Sequence, residues 1–144
     1  MRRLALALAA LMCGAGGALA KDPAAHAMFR WPLMGPVVKA GEGRGLDILA
    51  PEGEAVHAAG DGIVLYAGDE LQSFGELILI RHADGYVSAY AYLSAMTVAR
   101  GATVKRGDII GKSGRSGDAP RPELHFELRK DQTWLDPIGY LAPR

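Results

Sequence analysis

The chain has 144 residues, 16 of them basic and 16 acidic, with 49% hydrophobic residues, 19 glycines and a single cysteine. That length suits one ordinary domain rather than two. Zero formal charge excludes a nucleic-acid binder held by bulk electrostatics and an acidic disordered tail, and one cysteine excludes an internal disulfide framework.

In chain order, Met1-Arg2-Arg3 precedes a run of apolar and small residues that closes on Ala18-Leu19-Ala20. This is the secretory leader pattern, with cleavage expected after Ala20 and residues 1–20 removed. A membrane-spanning helix wants about 20 strongly apolar residues, and Gly14, Gly16 and Gly17 dilute this run. Lipid attachment at Cys13 normally follows a small residue, and Met12 occupies that place. Losing Arg2 and Arg3 with the leader leaves 14 basic against 16 acidic residues, a formal charge of −2, and no cysteine. The exported protein is therefore expected in the periplasm. Residues 21–28 read as a flexible leader, and residues 29–144 as the domain.

From Phe29 onward, short β-branched and aromatic runs alternate with Gly, Asp and Pro, an all-β signature. The predicted strands are Pro36–Lys39, Gly45–Leu49, Ala55–Ala59, Gly62–Ala67, Glu76–Arg81, Tyr86–Tyr92, Ile109–Ser113 and Leu124–Arg129. Gly60-Asp61-Gly62 and Asp84-Gly85 read as hairpin turns that need residues tolerant of positive φ. The segment Tyr86–Tyr92 alternates, which predicts two different faces. Asp136-Pro137 starts one helical turn, with Asp as cap and Pro in first position. Trp31 and Trp134 read as packing residues, and His82 as a structural histidine that bonds a turn. A core of ordinary size is affordable for about 124 residues.

Gly101 to Gly111 has the form G-x-x-V-x-x-G-D-x-I-G and follows Val56…Asp61-Gly62-Ile63-Val64. This is similar to barrel-sandwich hybrid folds, which serve biotinyl and lipoyl carriers, sugar-phosphotransferase domains and LytM-type peptidases. Fold alone does not choose among them. A carrier needs a lysine at a hairpin tip, where none of Lys39, Lys105, Lys112 or Lys130 falls. A phosphotransferase needs paired histidines such as His57 and His82, together with a cytoplasmic phosphate donor that export removes.

The text Gly45-Leu46-Asp47-Ile48-Leu49-Ala50-Pro51, Ala58-Ala59-Gly60-Asp61-Gly62-Ile63-Val64, Tyr90-Ala91-Tyr92-Leu93-Ser94 and Leu124-His125-Phe126-Glu127-Leu128-Arg129 resembles the LytM or lysostaphin-like metalloendopeptidase family. With Phe29-Arg30-Trp31-Pro32 and Phe74-Gly75-Glu76 through Arg81-His82, these motifs run in the family's order from Phe29 to the end. The resemblance implies an all-β LytM-type domain whose zinc is held by a His, an Asp and the second His of an H-x-H pair. An open coordination position would hold the water. Asp47 and His125 match the last two ligands. Gly43 stands where the first ligand would be, Glu123 replaces the first His of H-x-H, and Tyr92 replaces a helper histidine. Zinc is therefore possible but not expected, although a carboxylate such as Glu123 can ligate it.

The text Ile80 to Ala91 and the ending Asp136-Pro137-Ile138-Gly139-Tyr140-Leu141 are similar to the degenerate NlpD- and EnvC-type subgroup. That similarity implies a non-catalytic factor that binds and activates N-acetylmuramoyl-L-alanine amidases in cell-wall remodelling or division. In that subgroup the metal groove has become a partner-binding groove. The implied groove residues are Asp47, Tyr92, Glu123 and His125, with Arg44, Tyr90 and Arg121 at the rim. The alternatives are an active zinc endopeptidase that cleaves peptidoglycan cross-bridges, and a peptidoglycan-binding scaffold without a hydrolase partner. No coiled coil or LysM-like module is expected beside the domain.

Overall fold

The computed structural model describes residues 28–40 and 44–144. The leader, its cleavage site, Cys13, residues 21–27 and Gly43 lie outside the described residues.

Eleven strands follow in order: β1 Val37–Lys39, β2 Leu46–Leu49, β3 Ala55–His57, β4 Gly62–Gly68, β5 Glu76–Arg81, β6 Tyr86–Leu93, β7 Ala95–Met96, β8 Thr103–Val104, β9 Ile109–Lys112, β10 Glu123–Lys130 and β11 Thr133–Leu135. Eight of them form one antiparallel sheet in the order β1-β2-β10-β6-β5-β4-β8, with β11 pairing β10. The other three form a small sheet, β3-β9-β7. Among the described residues the only helical pieces are short 3-10 turns. One of them, Pro137–Gly139, starts as expected: the Asp136 side chain accepts from the Ile138 amide at 3.1 Å. The all-β class read from the sequence holds.

Strand alternation divides the large sheet into two faces. Leu46 and Ile48 of β2, Ile78 and Ile80 of β5, Tyr90 of β6, and Leu124, Phe126 and Leu128 of β10 are fully buried on one face. Val56 and Ile110 of the small sheet join them in the same core. On the opposite face of β10 stand Glu123, His125 and Glu127, all buried as well. The central strands are thus covered on both sides, and the two faces differ in polarity rather than in exposure.

Two turns depart from expectation. Gly60-Asp61-Gly62 does not close a hairpin, because β3 pairs with β9 while β4 pairs with β5 and β8. It is a corner between the two sheets. Neither of its glycines has positive φ; Gly62 is needed because a Cβ there would strike the Arg81 carbonyl. Turn composition says that the chain reverses, not that the flanking strands pair. The second departure is an unforeseen two-residue hairpin from Lys130 to Thr133, in which Asp131 supplies the positive φ of 53°. Asp84-Gly85 behaves as expected, with φ of 60° and 80° between β5 and β6.

A buried polar chain ties the corner to the large sheet. The Asp61 carbonyl can only accept, so the His82 Nδ1–H donates to it at 2.7 Å. Nε2 then accepts from the Ser88 hydroxyl at 2.7 Å. Ser88 accepts from the Tyr90 hydroxyl at 2.7 Å, and Tyr90 accepts from the Ala59 amide at 2.9 Å. Burial lowers the His82 pKa, against the opposing hydrogen bond and charge of Asp61. His82 is the structural, turn-bonding histidine that the sequence suggested.

Gly45, just before β2, has φ of 75° and faces the Phe126 carbonyl and the Glu127 side chain. Gly45→Ala should cost about 2–4 kcal/mol, from left-handed backbone and overpacking together. Urea unfolding checks this; a loss under about 0.5 kcal/mol would contradict the close approach.

Candidate functional site

The polar face of β10 meets β2 and the end of β6. Asp47 pairs in register with His125, and His125 with Ala91. This places the Asp47 Oδ1 2.7 Å from the His125 Nδ1. On the other side of the ring, Glu127 Oε1 lies 3.1 Å from Nε2. Ionised carboxylates only accept, so both ring nitrogens donate and the ring is an imidazolium. Burial alone would lower the His125 pKa, but the bonds to Asp47 and Glu127 outweigh it and raise it to about 9.

Glu123 precedes His125 by two residues on the same face. Its side chain is completely buried, and Arg121 at the rim places its Nε 3.0 Å from Oε1. That contact is an ion pair with poor hydrogen-bonding geometry. Burial, then the charge of Asp47 and a hydrogen bond with it, push the Glu123 carboxyl up, and the charge and hydrogen bond of Arg121 oppose them.

Tyr92 reaches this cluster through a backbone irregularity. Between the pairs Ile78↔Tyr90 and Glu76↔Leu93, β6 holds one residue more than β5. Tyr92 takes φ of 67° there. Strict alternation would send its ring to the core beside Tyr90; the bulge turns it to the groove face instead. Its ring centroid lies 5.5 Å from that of His125, and the Phe74 ring lies 6.2 Å from the His125 ring. Burial, then the charges of Asp47 and Glu123, raise the Tyr92 pKa.

The structure thus brings Asp47, Tyr92, Glu123 and His125 together, with Arg121 at the rim. Tyr90 is not at the rim: it is fully buried in the core against Phe126, with a ring separation of 5.4 Å. It shares the core face with Tyr86 and Ser88, which alternation requires. Arg44 marks the far end of the face, where its guanidinium lies 5.2 Å over Trp134. Trp134 is 42% exposed there, so it is a surface residue of the groove rather than a packing residue. Trp31 does pack, its Nε1 donating to the Ala142 carbonyl at 2.7 Å. Glu127 and Phe74 were missed. The spacing Glu123-x-His125-x-Glu127 carried the signal for Glu127, whereas nothing local marked Phe74. His57 sits on the small sheet and bonds the Gly107 carbonyl at 2.8 Å, remote in topology from the cluster.

These donors do not fit a catalytic zinc. Three protein ligands and an open position are required. Both nitrogens of His125 are engaged by carboxylates, and Gly43 brings no donor side chain. Among the described residues no group of three or more His, Cys, Asp or Glu is arranged to hold a metal ion.

Beyond Glu127 the face becomes apolar. Leu77, Leu79, Ala89 and Phe74 wall a cavity of about 150 Å³, with Arg129 and Trp134 beside it.

The chain is 39% identical over 127 residues to the lipoprotein YgeR of Escherichia coli K12, covering 85% of this chain and 50% of that protein. It is 40% identical over 121 residues to the murein hydrolase activator NlpD of the same organism, covering 81% of this chain and 32% of that protein. It therefore spans half or less of the length of these curated relatives. Its fold is similar to the catalytic domain of lysostaphin from Staphylococcus simulans, with TM-score 0.63 and 30% identity over 78% of this chain and 86% of that one. The profile of peptidase family M23 matches residues 41–137, and the chain belongs to that family.

Proposed function

We propose that this chain is a non-catalytic M23 domain that binds and activates a peptidoglycan hydrolase of the N-acetylmuramoyl-L-alanine amidase class. It does so in the periplasm, after export, and without a bound metal. The observation that carries this is the His125 ring held between Asp47 and Glu127, with both nitrogens engaged. A ring fixed on both nitrogens stabilises a groove and offers no metal ligand. The similarity to NlpD, named a murein hydrolase activator, supports the choice of partner.

In this account the groove floor is rigid and the partner supplies the moving part. An amidase segment that restrains the amidase's own active site binds in the groove and is drawn off it. Tyr92, partly exposed beside His125, is the side chain placed to touch that segment. Aromatic residues at the centre of an interface often dominate its energy. Tyr92→Ala should therefore weaken binding to the amidase of the same bacterium at least about tenfold, as read by calorimetric titration. An unchanged Kd for this variant, in a protein that does bind the amidase, would remove Tyr92 from the interface.

A further inference from the structure

The apolar end of the groove face has its own chemistry. A cavity of about 150 Å³ walled by Leu77, Leu79, Ala89 and Phe74 is the size that holds one benzene-like group. Glu127 also lines it, with its Oε1 already bonded to the His125 ring. The Arg129 guanidinium lines it and lies 5.6 Å over the Trp134 ring, and that of Arg44 lies 5.2 Å over the same ring. The Arg129 Nε is buried with no hydrogen-bond partner among the described residues. A buried donor left unpaired is destabilising, and any ligand that brings an acceptor relieves it.

The other end of the face is built differently. Asp47 and Glu127 hold the His125 ring there, and the buried Glu123 carboxyl faces Asp47 and pairs with Arg121. Glu123 and Arg129 are six residues apart on β10, roughly 20 Å along the strand. One end of the face therefore has its carboxyl groups already matched by His125 and Arg121, whereas the cavity end offers the Arg129 Nε, unpaired among the described residues, and the Arg44 guanidinium beside Trp134.

We infer that this cavity is a distinct subsite that takes one aromatic or large aliphatic side chain of the partner, flanked by a carboxylate that pairs with Arg129 and Arg44. Resting on the partner-binding role proposed above, it names the chemistry of the bound segment and its direction. An apolar anchor next to Asp or Glu lies at the Trp134 end.

The test uses a small probe that does not depend on the amidase. 3-Phenylpropionate carries one ring and one carboxylate; 3-phenylpropylamine carries the same ring and an ammonium. In NMR titrations of the mature chain, the carboxylate should shift the Ala89 methyl and the Trp134 indole signals, with a Kd in the millimolar range. The amine should bind at least about fivefold more weakly, and Arg44→Glu should reverse the preference. Arg44 is exposed, so that variant is expected to fold; Arg129→Gln tests the buried donor separately. Equal affinity for the two probes, or shifts confined to other residues, overturns the subsite. The amidase is then titrated against wild type and Arg44→Glu, with an expected loss of at least about tenfold that shrinks at high salt. Probe binding without amidase binding rejects the activator role and leaves the subsite standing. Amidase binding that ignores both charge and probe rejects the subsite and leaves the activator role standing.

Discussion

His125→Ala is expected to destabilise the domain by about 3–5 kcal/mol, the largest effect of any single substitution in the groove. The reason is the company that this ring keeps. It is 7% exposed and donates to Asp47 at 2.7 Å and to Glu127 at 3.1 Å. Glu123, fully buried, adds a third carboxyl within the same cluster. Removing the imidazolium leaves these carboxyl groups facing one another with only the rim cation Arg121 nearby. Breaking one side of a buried ion pair costs more than the pair itself supplies, because the uncompensated charge stays behind. It also opens a space beneath Tyr92 and Phe74. Urea unfolding at pH 7 measures the loss. A value below about 1 kcal/mol would mean that the ring is not the charged keystone of the groove.

The same group predicts how stability depends on pH. The folded pKa of His125 is about 9, against an unfolded value near 6.5. Because the folded value is raised, the folded chain binds more protons between these limits. The contribution is fully present below about 6.5 and is lost as pH rises through about 9, with an upper bound on the order of 3 kcal/mol. His82 has the opposite sign. Its folded pKa lies below the ordinary histidine value, so its contribution is present above about 6.5 and is lost as pH falls. Stability should therefore peak near neutrality and decline on both sides. Denaturant midpoints from pH 5 to pH 9.5 would trace the curve. His125→Gln should flatten the alkaline limb and leave the acid limb in place. A wild-type protein equally stable at pH 6.5 and pH 9 would contradict the charge assignment.

Most of the strand positions were legible because the physics that sets them is local. Alternation, punctuating glycines and β-branched runs locate β2, β4, β5, β6, β9 and β10 to within a residue or two. The short strands β7, β8 and β11 were not legible, since two or three residues carry no periodicity. Pairing was less legible still. Gly60-Asp61-Gly62 has hairpin composition, yet long-range pairing with β9 makes it a corner.

The site divides in the same way. Asp47, Glu123 and His125 follow from the resemblance to the LytM-type motifs, and Glu123 and His125 share a face because residues two apart on a strand do so. The same rule, carried one step further, gives Glu127. It misleads for the tyrosines. Tyr90 and Tyr92 look equivalent by alternation, and only the extra residue in β6, with Tyr92 at φ of 67°, separates a core residue from a groove residue. Trp134 was misjudged because aromatic residues usually serve packing; here the neighbouring arginines Arg44 and Arg129 hold it at the surface.

The most direct measurement is dye release from labelled peptidoglycan sacculi, run with the purified mature chain alone, with added zinc, and with the amidase of the same bacterium. The chain is expected to give no release with or without zinc, and to raise the rate of release by the amidase at least several-fold. Release by the chain alone that depends on zinc would contradict it and make the groove an endopeptidase site.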